Sequence, residues 1–478
     1  MASILGFVGS SVIFLYGLFS LGLYGFRAVS KGYFFRKTTE KETLELQIAR
    51  NRLWDLSQSF SGLRHHIHTL PSGFKFHYVC NDGPGQQTAT DPQKPLVVFI
   101  HGFPDSWAIW RHLLASSALQ HAATLVAVDL PGYGGSDRLD RYSATKVLEN
   151  LTEFVIAIRA KYGADTDTAV RQRKVIIVGH DWGCVLSTRL ASEAPQLADR
   201  FILTNGPIPG LTRANIARRL SSSLKMLKTA LRDPIHSRAT LWKVAQTLQP
   251  VGRQLLRSGY IFAMKLPLFL VRYLGRGGNY SFLKLIHRAS YGQQEFSSRD
   301  AAECMASTVG PSVAECQTQT AEGDTYPAFI KEDRGQLTFQ HMTAYYRDNT
   351  AFARWNKSIE TIAHLHGIED AKAVHRTSSG AGLFADGPKG SLKASATVIW
   401  GKADMALEPA LCLDGIADYL VRDSQVIVVP GLGHFTPLER QGQLALEKAI
   451  QWTVKGEKED IGAVLQKCSP KAVVTARK

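Results

Sequence analysis

The sequence predicts an α/β fold in which a mostly parallel sheet, with helices on both faces, carries an inserted helical cap. Short runs of apolar, mostly β-branched residues, such as Val175–Val178, alternate with segments of helical character. This alternation is typical of parallel strands joined by crossover helices. It stops after residue 206 and resumes at 395, so residues 207–394 are predicted to form a separate helical layer over the sheet.

Length and composition are compatible with one large catalytic domain. At 478 residues the chain exceeds an average domain, but an α/β core with an insertion accounts for the excess. Hydrophobic residues make up 45% of the sequence, which is enough for a core. The six cysteines show neither paired nor metal-ligand spacing, so we expect free thiols in a reducing compartment and no metal site.

The N-terminal region predicts a membrane anchor. Residues 4–26 carry no charge, and about 20 apolar residues suffice to cross a bilayer as a helix. Basic residues such as Arg27 and Lys31 follow this run and none precedes it, so the positive-inside rule places the rest of the chain in the cytosol. A cleaved signal peptide is the alternative, but the missing basic start and the unpaired cysteines favour a single-pass anchor, with the endoplasmic reticulum as the expected membrane.

The first part of the core contains a candidate oxyanion-hole loop. A buried strand over residues 95–100 runs into His101-Gly102-Phe103-Pro104. The glycine permits an unusual backbone turn that can point the Phe103 amide inward, where a hydrolase places one oxyanion-hole donor. His101 and Pro104 are expected to line the same pocket. The later glycine-rich turn over residues 129–137 is not a phosphate loop, because it lacks the Gly-Lys-Ser/Thr ending.

A tight turn follows the strand Val175–Val178. Gly179 and Gly183 lie two residues before and after Asp181, which is the spacing of a nucleophile elbow, where a Cβ would clash. A carboxylate is ionised at neutral pH, so Asp181 could attack a substrate without a base. Trp182 then supplies the second candidate oxyanion-hole amide. The simpler interpretation is an acidic helix cap in a glycine-flanked turn.

Two further polar residues follow strands in the second part of the core. Asp404 comes just after the strand Ala396–Trp400, and His434 lies in a glycine-rich loop after the strand Gln425–Val429. Ligand sites of parallel sheets lie beyond the carboxyl ends of the strands, so we expect both residues to meet Asp181 there. Their order along the chain, nucleophile, acid and histidine, is that of the α/β-hydrolases.

Five motifs together resemble those of the epoxide hydrolases of the α/β-hydrolase superfamily, over roughly residues 61–350 and 395–452. They are His-Gly-Phe-Pro (101–104), Asp-Leu-Pro-Gly-Tyr-Gly-Gly-Ser-Asp (129–137), Gly-His-Asp-Trp-Gly (179–183), Gly-Lys-Ala-Asp (401–404) and Gly-Leu-Gly-His-Phe (431–435). The resemblance implies hydrolysis of a small lipophilic epoxide to a vicinal diol, without metal or organic cofactor. A dehalogenase-like hydrolase is the nearest alternative, and a non-catalytic membrane-binding protein of the same fold is the alternative from another class.

The resemblance also implies two cap tyrosines that protonate the epoxide oxygen. Thr343–Arg347 resembles the motif of the second tyrosine and maps it to Tyr346. Ser258–Pro267 resembles the first motif less closely and maps it to Tyr260, with Tyr345 as the alternative. A phenol can donate a proton at neutral pH. The plain alternative is that these tyrosines are ordinary core residues.

In the implied mechanism, Asp181 forms an ester with the substrate, and His434, oriented by Asp404, activates the water that hydrolyses it. The Phe103 and Trp182 amides hold the oxyanion.

The cap is strongly basic. Residues 207–290 contain fifteen lysines and arginines and a single acidic residue, Asp233. Nucleic acid is one partner for such a stretch, but beside a membrane anchor we expect anionic lipid instead. Membrane lipids are therefore the predicted partners, through residues 4–26 and the basic cap, and no nucleic acid is expected. An uneven solvated surface is the plain alternative.

The remaining predictions concern segment limits. Residues 355–394 depart from the family pattern and are interpreted as an extra helix and a flexible loop near the entrance, and Gln425–Val429 is taken as the last strand, followed by a loose tail. The predicted segments are an anchor (1–30), a lead-in helix or linker (31–60), the first part of the hydrolase core (61–206), the cap with its insertion (207–394), the second part of the core (395–455) and a charged tail (456–478).

Overall fold

The computed structural model describes residues 2–83, 94–164, 173–233, 236–333, 338–373 and 387–478. The strands are β1 (Arg64–Thr69), β2 (Lys75–Cys80), β3 (Leu96–Ile100), β4 (Thr124–Val128), β5 (Val175–His180), β6 (Arg200–Thr204), β7 (Ala396–Gly401), β8 (Gln425–Val429) and β9 (Val473–Arg477). They form one sheet in the order β1-β2-β4-β3-β5-β6-β7-β8-β9. Pairing is parallel from β4 to β8 and antiparallel where β1, β2 and β9 join, which confirms the predicted mostly parallel sheet.

Helices surround this sheet. They are α1 (Ala2–Ser30), α2 (Glu40–Trp54), α3 (Arg111–Leu114), α4 (Ser117–Ala122), α5 (Ala144–Lys161), α6 (Trp182–Glu193), α7 (Pro209–Ala230), α8 (Arg238–Arg257), α9 (Gly259–Met264), α10 (Leu268–Ser290, interrupted at 277–280), α11 (Ser298–Val309), α12 (Ala328–Asp333), α13 (Thr338–Arg347), α14 (Ile359–Ala373), α15 (Pro409–Cys412), α16 (Arg440–Val454) and α17 (Ile461–Gln466). Among the described residues of 207–394, regular structure is helical only.

The sheet is buried on both faces. Along β5, Val175 and Ile177 pack into one apolar cluster, whereas Ile176 and Val178 pack into the other, because successive side chains of a strand point to opposite faces. A strand buried on both sides needs apolar residues at every position, which explains the continuous apolar run that marks β5 in the sequence.

The helix α2 packs on the body of the protein. Thr39 forms a capping box with Glu42 at its start, and Leu53 and Trp54 are fully buried at its end. Arg52 forms an ion pair with Glu303 of α11. The lead-in helix therefore belongs to the folded protein.

The helix α1 packs along one side of the cap. The Tyr16 hydroxyl donates a hydrogen bond to the Leu255 carbonyl at 2.9 Å, and Tyr24 contacts Phe282 with ring centroids 5.3 Å apart. By length and composition, Gly9–Ser30 could cross a membrane.

The prediction of a loose tail over residues 456–478 is wrong, and β8 is not the last strand. The strand β9 pairs antiparallel with β8, and α17 precedes it with Leu465 fully buried. The outer edge of β8 carries backbone groups that need partners, and β9 satisfies them. The sequence of β9 is short and partly charged, so its strand pattern is weak, and for this reason the sequence predicted a loose tail.

The extra helix expected within residues 355–394 corresponds to α14. The loop expected after it, with His375, lies mostly outside the described residues. The segment limits themselves stay a prediction.

Candidate active site

The junction between β5 and α6 has the geometry of a nucleophile elbow. Asp181 adopts φ 52° and ψ −117°, a region that side chains with a Cβ rarely occupy and that is often held under strain at functional sites. A Cβ on Gly179 would lie 2.6 Å from the Gly183 carbonyl oxygen, and one on Gly183 would lie 2.0 Å from that of Ile100. Only glycine fits at these two positions, so the turn lifts Asp181 above the sheet edge.

The structure brings the three predicted polar residues together. His434 Nε2 lies 3.4 Å from Asp181 Oδ2, and His434 Nδ1 lies 2.9 Å from Asp404 Oδ2. Asp404 and His434 are 3% and 5% exposed, so their direct contact is shielded from bulk solvent. A histidine held between two carboxylates is the arrangement that could accept a proton from water near Asp181.

Asp404 is held as a carboxylate. Burial raises the pKa of Asp404, but His434 and hydrogen bonds from Asn205 and the Leu407 amide outweigh it and leave the pKa below its ordinary value. The amide Nδ2 of Asn205 donates to Asp404 Oδ2 at 2.7 Å, while the Ala406 and Leu407 amides donate to Oδ1 at 2.7 and 2.9 Å. The ionised Asp404 is thus aimed at His434.

The imidazole of His434 is held as a cation in the free protein. Burial lowers the pKa of His434, but Asp404 and Asp181 outweigh it and raise the pKa to about 10. Both carboxylates therefore stabilise the protonated ring, and the pKa depends on the charge of Asp181.

Of the two oxyanion-hole candidates, the Phe103 amide contacts Asp181 directly, and the Trp182 nitrogen lies beside the same loop. The Phe103 amide donates a hydrogen bond to Asp181 Oδ1 at 2.7 Å. A Cβ on Gly102 would lie 2.3 Å from that oxygen and 2.7 Å from the Trp182 nitrogen. The loop after β3 can approach the elbow this closely only because residue 102 is glycine.

His101 and Pro104 do not line the cavity above Asp181, so their prediction as pocket residues is wrong. His101 is fully buried, its Nε2 accepts a hydrogen bond from the Leu130 amide at 2.9 Å, and its Nδ1 lies 3.0 Å from the Gly102 carbonyl. Burial lowers the pKa of His101, which suits a neutral ring that fastens two loops. Pro104 of the same loop is also buried.

The cap tyrosines lie opposite Asp181. Tyr260 of α9 and Tyr346 of α13 both line the cavity, with ring centroids 6.0 Å apart. Burial raises the pKa of each phenol, and Asp181 adds to the shift, so both hydroxyls stay protonated. The alternative, Tyr345, points away and donates to the Pro131 carbonyl at 3.0 Å.

A cavity of about 470 Å³ joins these groups. Its polar residues sit at Asp181 and His434 on the sheet side and at the two tyrosines on the cap side. Its remaining wall is largely apolar: Phe103, Leu256, Phe282, Leu285, Ile286, Ala289, Met405, Ala406 and Phe435, with Tyr24, Arg27 and Arg257 completing the lining. Such a mostly apolar cavity with a few converging polar groups is the usual form of a small-molecule site. Within the described ranges, no group of three potential ligands is placed to hold a metal ion.

Sequence reasoning missed three participants. Asn205 donates a hydrogen bond to Asp404. The only feature of the sequence that could have indicated this role is a polar residue at the carboxyl end of a strand. Tyr24 and Arg27 come from α1, which was interpreted only as an anchor. The positions of Tyr24 and Arg27 depend on how α1 packs against the cap, and no local sequence pattern predicts this packing.

Comparisons with known proteins identify the family of the chain. A family profile described as the alpha/beta hydrolase fold matches residues 95–441, so the chain belongs to this family. Epoxide hydrolase 3 of Xenopus tropicalis is 30% identical over 157 residues, which cover 32% of this chain and 37% of the relative. Epoxide hydrolase 1 of Caenorhabditis elegans is 33% identical over 145 residues, or 30% of each chain. The matches span about a third of the length of these curated relatives.

A solved structure shares the fold. The Cif epoxide hydrolase from Acinetobacter nosocomialis aligns with a TM-score of 0.50 over 87% of this chain and 97% of its own, at 16% identity.

Proposed function

We propose that this protein hydrolyses an epoxide to a vicinal diol through an ester on Asp181. The observation that carries the proposal is the pair Tyr260 and Tyr346, whose protonated hydroxyls share one cavity with Asp181. Opening an epoxide ring produces an alkoxide, which needs an acid to protonate it, whereas a halide leaves without being protonated. The similarity to named epoxide hydrolases supports the same choice.

In the first step, Asp181 attacks a ring carbon of the epoxide. Its Oδ1 is held by the Phe103 amide, so Oδ2, which lies 3.4 Å from His434 Nε2, is the oxygen that forms the new C–O bond. The C–O bond of the epoxide breaks, and a proton from one tyrosine converts the alkoxide to a hydroxyl. Burial raises the pKa of each phenol, so each keeps its proton at neutral pH until the strongly basic alkoxide forms beside it and takes it.

In the second step, water hydrolyses the ester. Alkylation removes the charge of Asp181, which is one of the causes that raise the pKa of His434. The pKa of His434 falls at this stage, so the ring, after losing its proton to the tyrosinate, can act as the base. Hydroxide attacks Cγ of Asp181, the Phe103 and Trp182 amides stabilise the oxyanion, and the diol leaves with the carboxylate restored.

The test is turnover of a panel of lipophilic epoxides, with diol as the readout and Asp181→Ala as the inactive comparison. His434→Gln should still form the ester but should not hydrolyse it, so mass spectrometry should show the protein heavier by the mass of the substrate. Release of halide from 1-chlorobutane would favour the dehalogenase-like alternative. No product from either panel would favour the non-catalytic alternative.

We further propose that α1 is a single-pass membrane anchor and that the basic cap binds the cytosolic face of the same membrane, with the endoplasmic reticulum as the expected one. Large apolar side chains on the cap are exposed, including Trp242 (66%), Leu256 (74%) and Phe269 (69%). They lie among the basic residues of 207–290, and apolar side chains beside cations suit a surface of anionic lipid. In a form truncated before residue 31, cosedimentation with anionic vesicles at low salt that is lost at high salt and absent with neutral vesicles supports the role of the basic cap. Equal binding to both kinds of vesicle would refute the electrostatic part.

A further inference from the structure

The apolar N-terminal helix reaches the candidate active site. Tyr24 and Arg27 of α1 line the cavity that holds Asp181 and His434. A helix that served only as an anchor would have no reason to meet this cavity.

The contact between α1 and the cap is close along several turns. A Cβ on Gly17 would lie 2.7 Å from the Phe262 carbonyl oxygen, and one on Gly259 would lie 3.0 Å from Ser20 Oγ. Ser20 is only 3% exposed. Small residues that let two backbones approach in this way are typical of tightly packed helix pairs.

The opposite face of α1 is open. Leu15, Phe19 and Phe26 are 62%, 63% and 69% exposed, whereas Ser20 and Ala28 are buried against the protein. Residues three or four apart lie on one side of a helix, so one face of α1 packs against the cap and the opposite face is exposed. This two-sided pattern fixes the rotation of α1 and turns Tyr24 toward the cavity.

Tyr24 contacts the backbone that carries a proposed acid. Its hydroxyl lies 3.7 Å from a Cβ built on Gly259, the residue that precedes Tyr260, and its ring packs edge-to-face on Phe282 at a centroid distance of 5.3 Å. Through these two contacts Tyr24 links α1 to α9 and α10 at the cavity wall.

We propose that α1 is a wall of the substrate cavity and that Tyr24 is a positioning residue, which holds Tyr260 against the epoxide and shapes the site for bulky lipophilic substrates. This inference rests on the proposed epoxide hydrolysis. Leu256 lies in the lining and is 74% exposed, so the cavity opens beside α1. The helix that attaches the protein to the membrane therefore also selects the substrate.

The first experiment tests the docking of α1 without relying on activity. The Cβ of Ser20 and a Cβ built on Gly259 are 3.5 Å apart, which lies within the range of disulfides, about 3.5–4.5 Å. The full-length double variant Ser20→Cys/Gly259→Cys should form an intramolecular disulfide on mild oxidation, detected by mass spectrometry. Five of the six native cysteines are buried, and Phe19→Cys/Gly259→Cys is the matched control that should not cross-link.

The cross-linked protein should keep the epoxide turnover of its reduced form. Failure to cross-link would overturn the proposal. Loss of turnover on cross-linking, with recovery on reduction, would also overturn it, because the docked helix would then not be the working state. If the unmodified protein turns over no epoxide, the proposed function fails, while the cross-link still reports on α1.

The second experiment tests the positioning role in the full-length protein. Tyr24→Leu should lower kcat about 10-fold, because small displacements of a reacting group are costly, and should raise KM more for bulky than for compact epoxides. Tyr24→Phe keeps the ring and should restore KM but not kcat. One turnover in ¹⁸O-water should place the label on Asp181, and the diol of the next turnover should then carry ¹⁸O at the ring carbon that was attacked. The ratio of label at the two carbons should differ between Tyr24→Leu and the wild type. Phe19→Leu, on the open face, is the control, and equal behaviour of the two leucine variants would overturn the role of Tyr24.

Discussion

At the scale of single residues, the charge of His434 depends on the two carboxylates that face it. Asp404 and Asp181 outweigh burial and raise the pKa of His434 to about 10. Removing one of these charges lowers the pKa of the imidazolium, and the proposed ester on Asp181 would remove one. The order of the two proposed steps thus follows from electrostatics.

Stability should report this raised pKa. A group whose pKa is higher in the folded than in the unfolded protein stabilises the fold fully below its unfolded pKa and loses this contribution as pH rises through its folded pKa. For His434 the window runs from 6.5 to about 10. The urea midpoint of the wild type should therefore fall across this window more steeply than that of His434→Gln. Parallel curves for the two proteins would contradict the assignment.

Asn205 makes a second prediction at this scale. Asn205→Asp replaces the donor facing Asp404 Oδ2 by a second acceptor, so the two carboxylates repel and Asp404 no longer holds His434. Loss of a hydrogen bond to a charged group costs about 1.5–3 kcal/mol, which corresponds to a fall in kcat of about 10–100-fold.

Asn349→Asp is the matched control for this change. Asn349 and Asn205 both have a positive φ, of 58° and 43°, but Asn349 is exposed and absent from the cavity lining. Steady-state kinetics that show equal kcat for the two variants would contradict the role of Asn205.

At the scale of secondary structure elements, one carboxylate joins the lead-in helix, the core and the cap. Glu303 of α11 accepts a hydrogen bond from Arg111 Nε at 2.7 Å and pairs with Arg52 of α2. Burial raises the pKa of Glu303, but Arg111 and Arg52 outweigh it and lower the pKa to about 2. Its contribution to stability is therefore present above 4.5 and lost only as pH falls through about 2.

Glu303→Ala should destabilise this junction strongly. Arg111 is 2% exposed, and removing the partner of a buried charge costs about 3–5 kcal/mol. Glu322→Ala is the control, because its ion pair with Arg64 is partly exposed to solvent and worth about 0–1 kcal/mol. Urea unfolding at pH 7 compares the two, and losses of equal size would contradict the prediction.

Two glycines should respond to alanine in opposite ways. Gly183→Ala should abolish folding or activity, because its Cβ would meet the Ile100 carbonyl at 2.0 Å. Gly252→Ala in α8 has no atom within 4 Å of the new Cβ and should stabilise the protein by up to about 1 kcal/mol. Thermal unfolding of both variants tests the pair, and a stabilising Gly183→Ala would refute the close approach at the elbow.

At the scale of the whole molecule, β9 closes the sheet on the side of β8. Removing residues 473–478 should lower the midpoint of thermal unfolding and promote aggregation, because an unpaired β8 edge offers a template for other chains. Arg477→Ala is the control, since it removes only the exposed ion pair with Asp460. A truncated protein that unfolds at the same temperature as Arg477→Ala would contradict a structural role for β9.

The sequence predicted the fold class and the positions of Asp181, Asp404 and His434, because both depend on local patterns. Buried strands require unbroken apolar runs, an elbow requires glycines at fixed spacing, and polar residues after parallel strands must meet at one edge. Tyr260 and Tyr346 came from resemblance to family motifs, and their place beside Asp181 was found only in the structure.

Contacts between segments far apart in the chain were decided only by the tertiary structure. His101 was expected in the pocket, yet it fastens two loops, and β9 was expected to be loose, yet it completes the sheet. The helix α1 shows the difference most clearly. Its apolar composition by itself determined that it could enter a membrane, since composition sets the free energy of transfer. Which face of α1 meets the cap, and hence that Tyr24 reaches the active-site cavity, depends on packing against α9, a contact across more than 230 residues of chain.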